Sequence, residues 1–310
     1  MGAISYSQEK VSMSESGVFS VRTSTAFRLM VLFSSFFVLL IVAGGIGAAV
    51  ASIPGIGERD AILITSAVQC VVAFCIPAWI TGRFSSPHPS CFLGLRRKSS
   101  YKAYVGVVIV YFLALPAMNQ LIEWNASIHF PEWASGIEST LRGWEKAAGD
   151  VSSKVIASGS VWEMLCGVAV VGVLTGFSEE IFFRGSLQKI FLESGIGRGW
   201  AIWCAAAIFS AVHFQFFGFL PRLLMGVFFG YLFVWSGSLW PAVFAHALNN
   251  SIVVVGGWLY GDNVESGIDR FGLMEDGGIP WTAVASVIAT VLFFYRFRES
   301  FFKGGISESQ

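Results

Sequence analysis

Eight apolar runs, each near the length of a membrane crossing, restrict this chain to one kind of fold. They cover 27–52, 62–81, 104–121, 161–183, 200–219, 220–235, 239–259 and 281–297. A helix needs about 20 apolar residues to cross the hydrocarbon core. In lipid its backbone must satisfy its own hydrogen bonds, which leaves helices or closed barrels. Continuous apolar runs without strand alternation select helices. The expected fold is therefore all-α, a polytopic membrane bundle of about eight transmembrane helices. Composition agrees: 13% of residues are charged and mean hydropathy is +0.67, whereas soluble domains are roughly a quarter charged. Twenty basic and twenty acidic residues cancel, so no electrostatic footprint for nucleic acid is present.

Residues 1–25 are polar and include Lys10. The apolar run after them is too long for a signal-peptide core, although Ala49-Val50-Ala51 imitates a cleavage site. Four parts are expected: a polar N-terminal segment (1–25), N-terminal helices with an outer loop (26–158), a core (159–260) that holds the motifs taken up below, and an outer loop, last helix and tail (261–310). The boundary between runs five and six, at Phe217-Gly218-Phe219-Leu220-Pro221, is the least defined. The five cysteines form no CxxC pair, and those within apolar runs read as small hydrophobes. His88 and His129 read as surface residues.

Lysine and arginine in short loops set orientation. Arg83, Arg96, Arg97, Lys98 and Lys102 lie between runs two and three. Lys189 and Arg198 lie between four and five, and Arg296, Arg298 and Lys303 follow the last. The segments 123–154 and 262–276 are mixed or acidic. The expectation is a multi-pass membrane protein with both termini cytoplasmic. Trp124, Trp133 and Trp144 suit an amphipathic stretch at the outer interface, where Trp favours headgroup depth.

Ionisable residues at membrane depth are costly and face a protein interior or a cavity. The densest group is Phe177-Ser178-Glu179-Glu180-Ile181-Phe182-Phe183-Arg184. Glu180 and Arg184 are four apart and share a helix face. Glu179 lies about 100° around the helix, outside that pair, and reads as a candidate general base. Phe209 and His213 repeat the four-residue spacing in run five, as do His246 and Asn250 in run seven. Glu179 lies 17 residues before Ile196 and His213 lies 17 after it. A helical hairpin closed at Gly195-Ile196-Gly197 puts both at one depth, provided the fourth helix continues past Leu187 and Ile190. His246 counts as shallower, about 13 Å from the Ser236-Gly237-Ser238 turn, unless that turn is recessed.

A carboxylate beside a histidine can activate water, and histidine and asparagine can donate to an oxyanion. The set suits peptide-bond hydrolysis. Two histidines and a carboxylate could also hold a divalent metal, which the sequence leaves open. Neither a G-x-S-x-G nucleophile motif nor an HExxH helix is present.

In this order the three motifs, Glu-Glu-x-x-x-Arg at 179–184, Phe-x-x-x-His at 209–213 and His-x-x-x-Asn at 246–250, resemble the CPBP family of intramembrane proteases. That family includes the CAAX prenyl endopeptidases (Rce1-type) and bacterial relatives linked to bacteriocin immunity. Leu239-Trp240-Pro241-Ala242 and Gly226-x-x-x-Gly230-Tyr231 add to the likeness, which covers about 162–251. The resemblance implies that Glu179 and His213 activate water and that His246 and Asn250 stabilise the oxyanion. Glu180, Arg184 and Phe209 would support them. The implied partners are the bilayer and a membrane-associated peptide or protein, lipidated or signal-like, reached through a cytoplasm-facing cavity.

Each feature has a plainer reading. Paired glutamates can cap a helix at the interface, Arg184 can anchor a span, and His246 with Asn250 can join helices. Gly226 and Gly230 read as close-packing positions. A non-catalytic immunity or scaffold protein could use the same bundle. A proton-coupled transporter could use the same carboxylates and histidines, but no repeat relates the two halves.

Overall fold

The computed structural model describes residues 23–156, 159–261, 271–273 and 280–302. Most of the N-terminal segment, most of 262–276 and Lys303 lie outside the described residues. Those described form a helical bundle without a strand. The longer helices among the described residues are α1 (Thr25–Ala51), α2 (Glu58–Ser85), α3 (Tyr101–Ala126), α4 (Ser135–Ile156), α5 (Val161–Glu193), α6 (Arg198–Ala211), α7 (Phe219–Ser236), α8 (Trp240–Tyr260) and α9 (Trp281–Phe302).

Among the described residues, six helices are long and apolar enough to cross a membrane: α1, α2, α3, α5, α7 and α8. The apolar part of α9 is shorter, and α6 has only 14 residues. This is an integral, multi-pass membrane protein. Helix α4 lies outside the expected spans, and Trp124, Trp133 and Trp144 are all exposed.

Local chemistry explains the helix ends. Ser24, Ser100 and Ser160 each accept a backbone N–H in the first turn of α1, α3 and α5, satisfying donors a helix start leaves open. Gly237 ends α7 with φ 65°, a left-handed conformation that costs glycine little. Gly195 and Gly197, at φ 87° and 88°, turn the chain between α5 and α6.

Helix α5 runs 33 residues, continuing past Leu187 and Ile190 as the depth count required. Its winding is not uniform. The wider π form occupies Val168–Leu174 and Ile181–Gln188, leaving one α turn, Thr175–Glu180, between them. Both candidate glutamates sit on that turn. The π form is uncommon and recurs at functional sites.

Helix α6 stops at Ala211, short of the expected end of run five at 219. The chain then passes through 212–218 before α7. This connection is covered from the α4 side. Glu145 accepts from Phe217 N at 3.0 Å, and Asn125 bonds Phe216 O and Leu220 N. The other end of the hairpin is recessed. The Ser236–Leu239 turn sits beneath loop 94–97, with Leu239 N donating to Gly94 O, Ser238 Oγ to Arg97 O and Trp240 Nε1 to Leu95 O. That recess resolves the depth mismatch of His246. The largest apolar core, including Leu32, Phe36, Leu93, Phe182, Phe183, Phe209 and Phe233, packs α1, α2, α5, α6 and α7 together.

Candidate active site

Close helix approach builds the site. On α5, a methyl group at Gly176 would stand 2.9 Å from Ala247 N of α8, so only glycine lets the two backbones come this near. The contact brings His246 onto Glu180 and Asn250 onto Val171.

Glu180 is wholly buried and Arg184 is 1% exposed. Arg184 Nη1 donates to Glu180 Oε1 at 2.7 Å, and Arg184 Nη2 donates to Gly226 O of α7 at 2.9 Å. One turn on, Gln188 Nε2 donates to Gly230 O at 3.1 Å. Two rungs therefore bind α5 to α7 at Gly226 and Gly230, where a methyl on Gly230 would meet Gln188 Oε1 at 2.7 Å. The Arg184 guanidinium also lies over Phe209 at 4.6 Å and Phe229 at 5.3 Å, a favourable cation–π placement.

Glu180 has a second partner. His246 Nδ1 donates to Glu180 Oε1 at 2.8 Å. The ring is stacked on Phe229, centroids 5.0 Å apart at 21°, and meets the edge of Phe209 at 5.8 Å. With Nδ1 committed, Nε2 is the nitrogen left for chemistry. It faces Glu179 Oε2 at 3.8 Å, beyond a hydrogen bond. Glu179 retains 13% side-chain exposure, while its neighbour has none.

His213 is not on a helix. It lies two residues past the end of α6, and Phe214 after it takes φ 55°, uncommon for a bulky residue. The Phe-x-x-x-His spacing still operates. His213 Nδ1 donates to Phe209 O at 2.8 Å, capping a carbonyl that the helix end leaves open. The ring packs edge-on to Phe209 at 5.1 Å. Both histidines therefore commit Nδ1 and leave Nε2 for chemistry, and Glu179 and His246 both lie near His213.

Asn250 donates to Val171 O at 3.1 Å and accepts from Asn249 Nδ2 at 3.2 Å. Helical positions i and i+1 diverge, yet the Asn249 side-chain amide swings toward its neighbour. Among the described residues, no three or more His, Cys, Asp or Glu side chains converge as metal ligands do.

Helix registers add a residue the spacing arguments missed. On α5 and α7, Arg184 faces Gly226 and Gln188 faces Gly230. One turn back, Glu180 falls level with Arg222. On α6 and α7, Phe209 faces Gly226, and one turn on His213 falls level with Arg222. Arg222 Nη2 donates to Gln215 Oε1 at 2.6 Å. An arginine inside an apolar span was the available signal; its place beside an uncertain run boundary hid it.

Residues 161–252 match the family model described as Type II CAAX prenyl endopeptidase Rce1-like. A curated relative, described as "Uncharacterized protein YpbD" of Bacillus subtilis (strain 168), is 26% identical over 108 residues, 34% of this chain and 50% of that protein. The chain thus spans about half the length of that relative. No solved structure matches significantly.

Proposed function

We propose, from the likeness of residues 161–252 to type II CAAX prenyl endopeptidases, that this chain is an intramembrane endopeptidase acting on a membrane-associated peptide or protein. The observation that carries the reading is the unequal use of two adjacent carboxylates. Glu180 is wholly buried and is held through Oε1 by both Arg184 and His246. Glu179 remains partly exposed and faces the free nitrogen of His246.

In the proposed mechanism Glu179 takes a proton from water. His213, with Nδ1–H held by Phe209 O, offers Nε2 as an acceptor that orients the same water. The water oxygen attacks the scissile carbonyl, and the peptide C–N bond breaks as Glu179 returns the proton to the leaving amine. The oxyanion takes hydrogen bonds from Asn250 and from His246 Nε2–H. That second donor requires the imidazolium form, because the Nδ1–H is already donated to Glu180.

The substrate class, lipidated or signal-like, and cytoplasmic termini in a bacterial inner membrane belong to the same proposal. A non-catalytic scaffold is the competing reading. The test is cleavage by purified protein in detergent, with a chelator arm for metal. It is paired with proteomics of membrane-protein C-termini from cells carrying the natural chain or Glu179→Gln. Loss of cleaved termini in the variant at equal protein level supports the enzyme. A natural chain that cleaves nothing in detergent, with membrane-protein C-termini the same in both strains, is a scaffold, and a Glu179→Gln chain that still cleaves fully removes Glu179 as the base.

A further inference from the structure

Arg222 lies in the first turn of α7, inside an apolar span. An ionisable group at that depth is rare and typically serves a binding or transport path. Two helix registers, read from different contacts, place it level with Glu180 on α5 and with His213 after α6. It is therefore beside the candidate site, on the side covered by α4.

Its hydrogen-bond partner is uncharged. Nη2 is held by the neutral amide of Gln215 at 2.6 Å. Nη1 is buried and has no hydrogen-bond partner among the described residues. The carboxylates of Glu145 and Glu179 are near enough for their charges to be felt. Neither forms an ion pair with Arg222 among the described residues. Glu145 is engaged instead by Phe217 N. The contrast with Arg184 is direct, since that guanidinium has both a carboxylate and a carbonyl. A desolvated guanidinium holding an unused N–H favours an anionic acceptor, and its planar fork matches a carboxylate.

We propose that Arg222 is a specificity residue that anchors a carboxylate of the peptide substrate beside the scissile bond. This rests on the protease reading and deepens it. Gln215 holds one nitrogen and fixes the plane of the guanidinium, leaving Nη1 for the substrate. The carboxylate is supplied by the peptide's C-terminus or by an acidic side chain near the cleavage point.

The test reads binding without turnover, so its failure is separable from failure of the protease reading. Glu179→Gln protein in nanodiscs is titrated with three hydrophobic dodecapeptides of one sequence. One has a free C-terminal carboxylate, one a C-terminal amide, and one an amide with a glutamate three residues from its end. The same titration is run with Arg222→Gln added, and with Arg222→Lys as a charge-retaining control.

With Arg222 present, at least one carboxylate peptide should bind about tenfold or more tighter than the amide, the worth of one charge-assisted contact. Which one does so identifies the source. Arg222→Gln should abolish the preference without weakening the amide peptide, and Arg222→Lys should keep part of it. Equal binding of all three peptides with Arg222 present overturns the proposal. So does a preference that survives Arg222→Gln. A melting temperature unchanged by Arg222→Gln is also expected; if the variant does not fold, Arg222→Lys and Gln215→Ala carry the same comparison, and a carboxylate preference undiminished in both overturns the proposal.

Discussion

His246 donates to Glu180, at 2.8 Å from Nδ1 to Oε1, and only its other nitrogen faces Glu179, at 3.8 Å. The adjacent glutamates are thereby separated in role. One is the fixed centre of a buried cluster, and the other keeps a partial opening to its surroundings. The sequence suggested the division through the Glu180–Arg184 spacing, but the histidine's place in the cluster needed the α5–α8 contact.

The first prediction tests that cluster. Arg184→Ala would leave Glu180 fully buried with only His246 to answer its charge. Breaking a buried ion pair from one side typically costs about 3–5 kcal/mol. A lower melting temperature and reduced cleavage are expected together. Unchanged melting with selective loss of cleavage would instead put Arg184 in contact with substrate.

Gly176 gives a second test, because it acts on geometry without touching any charge. Gly176→Ala forces a methyl against Ala247 N, at 2.9 Å before relaxation. Overpacking of this kind costs about 1–3 kcal/mol. The separation of α5 from α8 should also lengthen the His246–Glu180 bond. The imidazole nitrogen resonances of His246 should shift in the variant. Identical spectra and activity would show that the close approach does not set this bond.

Much of the fold and site was legible because membrane helices carry strong one-dimensional signals. Apolar runs located the crossings, and the equal counts from Ile196 gave the long α5. The four-residue spacing placed Arg184 on Glu180 and His213 on Phe209. What was not legible depends on contacts between helices. Run five looked long because Phe214, Phe216 and Phe217 are as apolar as a span, yet the helix ends at Ala211 and His213 caps it. The recess of the Ser236–Leu239 turn comes from loop 94–97, far away in sequence. Arg222 acquires meaning only from two registers at once.

Outside the spans, Glu138 ties the start of α4 to the loop before it. Its carboxylate accepts from Phe130 N at 2.7 Å and from Arg142 Nε at 2.8 Å, and His129 Nδ1 lies 3.0 Å away. The Phe130 N–H, then Arg142, hold its pKa down to about 2. Because the folded value lies below the unfolded one near 4, the stabilisation is complete above about pH 4 and is lost as pH falls through about 2. Proteolysis of 127–142 by an acid-active protease should stay slow at pH 4 and accelerate toward pH 2, relative to other sites in the chain. Glu138→Gln should already be cut quickly at pH 4. Equal cutting of both proteins at pH 4 would show that the carboxylate does not hold this segment.

Topology supplies another prediction. If the lysine and arginine distribution sets orientation, a reporter fused after Ser99 should read cytoplasmic. One near Ser266, outside the described residues, should read external. The site lies level with the 212–218 connection, about 21 Å along α6 from the basic 189–198 turn. The expected orientation therefore puts it in the half of the membrane away from the cytoplasm, contrary to the cytoplasm-facing cavity expected from the motifs. Opposite reporter signals would restore that cavity and reverse the whole bundle.

The last prediction separates two neighbouring amides. Asn250 has one N–H on Val171 O, and its second is free for an oxyanion in the proposed mechanism. Asn250→Ala should lower turnover by roughly 10²–10³, the usual cost of one oxyanion donor where that step limits the rate. Asn250→Asp keeps an acceptor for Asn249 but has no N–H to give, and should fall as far. Asn249→Ala removes only the 3.2 Å bond that orients Asn250, a loss of about tenfold or less. Because Asn249 also lines an apolar cavity of about 720 Å³ between α3, α7 and α8, its variant should be compared at equal folded protein. Steady-state kinetics on the three purified variants decide the matter. Equal losses for Asn249→Ala and Asn250→Ala, or a fully active Asn250→Asp, would remove Asn250 from the oxyanion site and leave it as the residue that fastens α8 to α5.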